Sequence, residues 1–297
     1  MRGEFKDGSA PTEIVAVKHI IPQGNSKDEW ARVDVRVRRE IVVWMRLKHD
    51  NIVALLGTVK ATGASIGIVP QQTTNGEENR DSPTGETSDQ PPFTCHGMVS
   101  HWMMNGNLDH FIKENLELGH RFQIACDVAA GLTYLHSEDI IHGDLTSANV
   151  LIDDNGRARL VDFGLSSIMA EFENTSFITS TIGGYLRFRA LELMPPLDGS
   201  YEDFKPVLTP ACDVYSLGSV VLQILTGKLP YHNIIDDTMV ALVVAQRKQP
   251  ARPSGEGCEA LIDKYWNFIV GCWNNDPNER PSAEKAQGEL IRLLKEA

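Results

Sequence analysis

The stretch "IIHGDLTSANVLID" (residues 140–153) sets Asp144 five positions before Asn149 and two after His142. Apolar runs flank this polar knot on both sides, so it reads as a reactive loop held between two strand-like segments. Three other positions raise the same chemical question. Lys18 is the single long cation inside the β-branched run "EIVAVKHI"; alone, it reads equally well as an edge lysine snorkelling to water. Glu40 recurs with Val37, Trp44 and Leu47 at helical spacing, and a carboxylate on a core-facing stripe calls for a partner. Lys18 is the nearest candidate in an apolar setting, although a rotated helix would leave Glu40 in solvent. Asp162 closes another strand-like run in "DFG". Carboxylates in such positions can take protons, and oxygen side chains suit hard cations.

The elements that must position these groups follow from periodicity. Residues 13–20 alternate and are predicted as a strand; 31–47 recur at helical spacing, although Val33, Val35 and Val37 also alternate. "NIVALLGTV" is predicted as a strand pair or a strand with a turn. Residues 97–112 run from strand through a Gly/Asn turn into a helix start. "HRFQIACDVAAGLTYLHSE" sets Ile124, Val128, Leu132 and Leu135 on one buried helical face. "RARLVDFGLSS" is a strand ending at the aspartate, and "DVYSLGSVVLQILTG" is the most apolar helix of the chain. The stretch 71–94 carries five acids against Arg80 and little apolar surface, so an acidic insertion at about 62–94 is expected to be disordered.

Bulk properties remove several function classes. The 297 residues carry 28 basic and 40 acidic side chains, a formal net charge of −12, which argues against nucleic acid as a partner. The longest apolar stretch, Leu217 to Leu225, is interrupted and too short to span a bilayer. The first residues have no apolar core of a secretory signal. Five scattered cysteines without CxxC spacing fit a reducing compartment, so a cytoplasmic protein is expected.

Taken singly these motifs say little, but their order is specific: Lys18 in "VAVK", Glu40, Asp144 with Asn149, Asp162 in "DFG", then "DVYSLG" and "CWNNDPNERPSA". In this order the chain resembles the protein kinase family along almost its whole length, closest to the tyrosine-kinase-like and tyrosine kinase branches. The resemblance implies an α+β, two-lobed fold. A small β-rich lobe would cover 1–103, with the insertion, and a larger helical lobe 104–297. It implies ATP and Mg²⁺ as cofactors and protein substrates as partners. Lys18 would grip the α- and β-phosphates, and Glu40 would hold Lys18. Asp162 and Asn149 would hold magnesium, and Asp144 would orient the acceptor hydroxyl and take its proton. Ser100 would line the back of the adenine pocket. His101 and Met103 would meet the adenine edge through backbone groups, with Ala16 and Leu151 on its faces. Arg280 would pair with Glu192 of a drifted "ALE" motif.

The chain also departs from that pattern. "RGEFKDGSAPTE" resembles the tail of a second strand and its turn, so the first strand and Gly-rich loop are missing from the small lobe as it stands here, either because the sequence is a piece of a longer chain or because the protein lacks that roof. Gly143 stands where protein kinases usually carry Arg. "HGDL" is also found in small-molecule phosphotransferases, a reading that rests on this motif alone, because the segment after "DFG" and the "DVYSLG" helix belong to protein kinases. Without that arginine, phosphate on Thr179, Ser180 or Thr181 loses its usual receiver, leaving Arg187 or Arg189 as candidates. Activation-segment phosphorylation is therefore expected not to be the main switch. Thr146 and Ala148 replace the loop cation of both kinase branches. This leaves open a weakly active Ser/Thr (or Tyr) protein kinase or a pseudokinase acting as a scaffold.

Overall fold

Alternation and β-branching make Glu13–His19 a strand (β2), and the short Arg2–Phe5 (β1) pairs with it antiparallel. The computed structural model describes residues 2–5, 13–20, 27–62, 94–114, 116–163, 184–195 and 204–297. Most of the expected acidic insertion, and Thr179, Ser180 and Thr181, lie outside the described residues. The chain divides into two units, Met1–Arg46 with Leu55–Trp102, and Leu47–Ala54 with Met103–Ala297.

The first unit is an antiparallel sheet with one helix. Leu55–Thr62 (β3) and Thr94–His101 (β4) complete the strand order β1-β2-β4-β3. Val15, Met98 and Val99 are buried. Helix α1, Lys27–Trp44, lies against β4. Its residues Val37, Glu40 and Trp44 are all buried, so the helical period prevails over the Val33–Val35–Val37 alternation. Leu47, expected on the same stripe, falls beyond the helix end and belongs to the second unit. The run "NIVALLGTV" divides too. Leu55 onward joins the sheet, whereas Asn51 and Val53 hydrogen-bond to Leu160 in the second unit.

The second unit is mainly helical. Leu108–Phe111 (α2) is followed by Leu118–Ser137 (α3), whose apolar face, including Ile124, Val128, Leu132 and Leu135, is fully buried. A two-stranded hairpin, Val150–Ile152 (β5) and Ala158–Leu160 (β6), packs on α3 through β6. The apolar run Ile140–Ile141 is not a strand: residues 140–146 have no regular structure, and only the second flank of the knot enters a sheet. Pro210–Thr226 (α4) starts at a proline, whose missing N–H costs nothing in a first turn, and stops at Gly227 in the left-handed conformation. Every residue from Cys212 to Thr226 is buried. Asp237–Ala245 (α5), Asp263–Cys272 (α6) and Ala283–Lys295 (α7) follow, with α6 against α4 and α7 against α3. Trp273 is fully buried, its indole N–H donating to Ser219 Oγ at 3.0 Å. The small antiparallel-sheet unit and the larger helical unit form the two-lobed α+β class that the resemblance implied. No helix among the described residues is long and apolar enough to cross a membrane.

Candidate active site

In the first unit, strand register and helix period bring an amine to a carboxylate. Lys18 Nζ lies 3.5 Å from Glu40 Oε1, the glutamate side chain buried and the lysine about one third exposed. Ala16 pairs directly with Ser100 across β2 and β4, and Val15 with His101. Ser100 is buried, whereas His101 is exposed.

In the second unit the polar knot is fixed from below by α4. Asp213, in its first turn, accepts the backbone N–H of His142 at 2.8 Å and of Gly143 at 2.7 Å. His136 of α3 meets the same carboxylate at 2.8 Å. The sequence reading did not single out Asp213, although a carboxylate inside the most apolar helix already requires partners. Gly143 has φ +71°, a left-handed conformation that glycine adopts without the steric cost of a Cβ.

Asp144 follows, and Asn149 secures it: Asn149 Nδ2 donates to the Asp144 carbonyl at 2.8 Å and to its Oδ2 at 3.2 Å. Burial raises the Asp144 pKa above the ordinary aspartate value, opposed by His142, Arg189 and the Asn149 hydrogen bond. A carboxylate so placed holds a proton more readily than a free one, as a general base must. The buried His142 is driven toward its neutral form by desolvation, against the pull of Asp213, Asp144 and Asp162. Its ring meets Phe163 edge-on, with centroids 6.4 Å apart.

The β5–β6 hairpin brings the next two groups to one end. Asn149 immediately precedes β5 and Asp162 follows β6, and Val161 N donates to Asn149 O at 3.1 Å. Asp162 has φ +62°, a backbone state that a non-glycine residue keeps only when its surroundings enforce it. With Nδ2 committed to Asp144, Asn149 retains its amide oxygen. That oxygen and the Asp162 carboxylate are hard donors of the kind Mg²⁺ takes, so the residues fit the ion. Met103 O accepts from Gly106 N at 3.1 Å, and Gly106 O accepts from Ile152 N at 2.9 Å. This tie holds the Met103 turn beside Leu151, and both residues are half-buried.

Two arginines of the 184–195 segment have distinct settings. Arg187 uses every donor: Asp237 Oδ1 at 2.9 Å, and the carbonyls of Pro230, Tyr231, Ile234 and Ile235. It is therefore not a free phosphate receiver. Arg189 lines the same small cavity as Asp144, and the two charges act on each other. Only the folded chain brings this cation to the loop. Farther out, Arg280 grips Glu192 with two bonds of 2.7 and 2.8 Å.

The family model described as "Protein kinase domain" matches residues 8–289. Among curated proteins, the chain is 26% identical to "Serine/threonine-protein kinase STY46" of Arabidopsis thaliana, covering 99% of this chain and 42% of the relative. It is 25% identical to "Serine/threonine/tyrosine-protein kinase HT1" of Arabidopsis thaliana, over 94% of this chain and 59% of that one. It is 28% identical to the mouse "Proto-oncogene serine/threonine-protein kinase mos", over 82% and 65%. The chain thus spans roughly two fifths to two thirds of these relatives.

Proposed function

The chain belongs to the protein kinase domain family, and from that premise we propose that it transfers the γ-phosphate of ATP to serine or threonine hydroxyls of proteins. The observation that carries this reading is Asp144, with its raised pKa, held by Asn149 on the loop that leads into the Asp162 hairpin. The acceptor hydroxyl presents its oxygen to the γ-phosphorus and gives its proton to Asp144, while the bond from that phosphorus to the bridging oxygen of ADP breaks. Lys18, oriented by Glu40, binds the α- and β-phosphates. Asn149 Oδ1 and the Asp162 carboxylate would hold magnesium, as hard oxygen donors suited to a hard cation. When bound, the ion offsets the phosphate charge. By the family pattern, adenine contacts would fall to Ala16 and the His101 backbone in the first unit and to Leu151 and the Met103 backbone in the second.

Thr146 and Ala148 leave the loop without a cation of its own. We assign that role to Arg189, which supplies positive charge to Asp144 from the segment before Glu192. Removing such charge from a transferring phosphate costs roughly 3 kcal/mol of barrier, about two orders of magnitude in rate. The scattered cysteines, four of them free and buried, suit a cytoplasmic setting.

The test has two parts. Mg-ATP should raise the thermal midpoint of the wild type by mass action, and the shift should vanish in Asp162→Asn. Radiolabel from γ-labelled ATP should reach a protein acceptor and be lost in Asp144→Asn. A Mg-ATP shift without transfer would make the chain a nucleotide-binding scaffold instead. No shift at all would remove the nucleotide from the reading.

A further inference from the structure

Helix α5, "DTMVALVVA", carries no charged side chain after Asp237, and a helix that is apolar on every side is ordinarily covered on every side. Here the second unit covers only one. Val240 and Val244 are fully buried, on a helix that packs against residues 184–188. Away from them Met239 and Leu242 are 51% and 43% exposed, and Ile235, just ahead of the helix, is 98% exposed. With the exposed Gln246 these positions follow one another at spacings of 4, 3 and 4, the seam that one helix offers to another.

The face is held in place from its N-terminal end. Asp236 caps the helix, its Oδ1 accepting Thr238 N–H at 2.7 Å and Met239 N–H at 3.3 Å. Arg187 donates to Asp237 Oδ1 at 2.9 Å and to the carbonyls of Ile234 and Ile235. A partner therefore meets a preorganised surface and loses little in ordering it.

The two ends of the face carry opposite charge. Asp236 and Asp237 stand at the start, and Arg247 and Lys248 follow the last turn; Asp236, Arg247 and Lys248 are exposed. A partner of a single charge sign would match one end and repel the other. What matches both is an antiparallel helix, acidic at its start and basic beyond its end, and this chain carries one in α5 itself. That arrangement also sets the positive end of each helix dipole beside the negative end of the other. About a two-fold axis midway between Met239 and Leu242, Met239 of one copy faces Leu242 of the other, and Ile235 faces Gln246. Asp236 then lies within about one helical turn of the other copy's Lys248 along the axis, a gap that the flexible lysine stem spans.

We infer that α5 is a self-association face: two copies of the chain pair antiparallel through Ile235, Met239 and Leu242, with Asp236 and Lys248 closing the ends. The helix has nine residues, about 13 Å of length. The contact is therefore small for a specific interface, and the dimer is reversible, with a Kd of roughly 10–100 μM. The inference is independent of the phosphotransfer reading, because none of these residues lines the Asp144 cavity.

The experiment is analytical ultracentrifugation of the full chain at concentrations of about 1–200 μM. The weight-average mass should climb from the 32.9 kDa of one chain toward twice that value. Met239→Glu and Leu242→Glu each set like charges into the seam and should weaken association about tenfold or more. Ile235→Lys should weaken it likewise. Adding Gln246→Glu to the same chain should restore it, since each lysine then faces the other copy's glutamate. All four positions are exposed, and a thermal melt checks that every variant folds. A chain that stays monomeric throughout leaves this face to a different partner and overturns the inference. A dimer that survives Met239→Glu and Leu242→Glu overturns it too, as does a loss in Ile235→Lys that Gln246→Glu fails to restore.

Discussion

The carboxylate of Asp213 accepts the backbone N–H of Gly143 at 2.7 Å, and so hangs the loop bearing Asp144 from a helix that is buried from Cys212 to Thr226. The same carboxylate holds the His142 N–H. Asp213→Ala would leave two buried donors unsatisfied, which costs on the order of 3 kcal/mol. Urea unfolding should register that loss. In the fraction that remains folded, kcat should fall while KM for ATP changes little, because the residue touches neither substrate. Asp213→Asn, which retains an acceptor oxygen, should fall between the two.

Gly143 adopts a positive φ, so restoring the family's usual residue carries a cost. Gly143→Arg should destabilise the protein by roughly 1–2 kcal/mol, the steric cost of a left-handed L-residue. Phosphatase treatment of the wild type should leave its activity in place, since Arg187 is fully bonded within the second unit and Arg189 is engaged with Asp144. A collapse of activity to background would sink this expectation.

The electrostatics of Asp144 predict a pH profile. Burial raises its pKa, and a base must be ionised to act, so kcat/KM should fall on the acid side at a pH above the ordinary aspartate range. Arg189 opposes that rise. Arg189→Ala should therefore move the acid limb to still higher pH as well as slowing turnover, and Arg189→Lys should return the limb most of the way. A purely structural role for Arg189 would leave the limb where it was.

Arg280 has a fully buried side chain, pairs with Glu192, and also donates to the carbonyls of Asn274 and Ala211. Breaking such a pair from one side is expensive, and Arg280→Leu should cost on the order of 3 kcal/mol in chemical unfolding. Burial alone would raise the Glu192 pKa, but the Arg280 guanidinium outweighs it and holds it below the usual glutamate value. A depressed acid contributes stability above its unfolded pKa and loses it as pH falls through the folded one. The wild type should lose this contribution below the ordinary glutamate range, and Glu192→Gln should flatten that part of the stability curve.

Much of this is legible in the sequence. The helical spacing of Val37, Glu40 and Trp44 led to the buried face of α1, and the clean period of residues 120–138 led to α3. What stayed hidden is non-local. Nothing in the spacing of Ile140 and Ile141 says that they lie in irregular backbone, because a short apolar run looks alike in a strand and in a buried loop. Arg189 is 45 positions from Asp144, and only the folded chain brings its charge to bear. The same holds for Asp109 and Gln223, whose hydrogen bond joins α2 to α4 across more than a hundred residues. Asp213 is the intermediate case, a charged side chain in an apolar run whose need for partners is readable although their identity is not.

The suspension of the Asp144 loop from α4 has a further consequence. Because every residue of that helix from Cys212 onward belongs to the buried interior, the loop has no means of loosening ahead of the core itself. Heat inactivation and loss of tertiary structure should then trace one curve when both are followed in a single sample, as if Asp144 were a reporter group soldered to the keel.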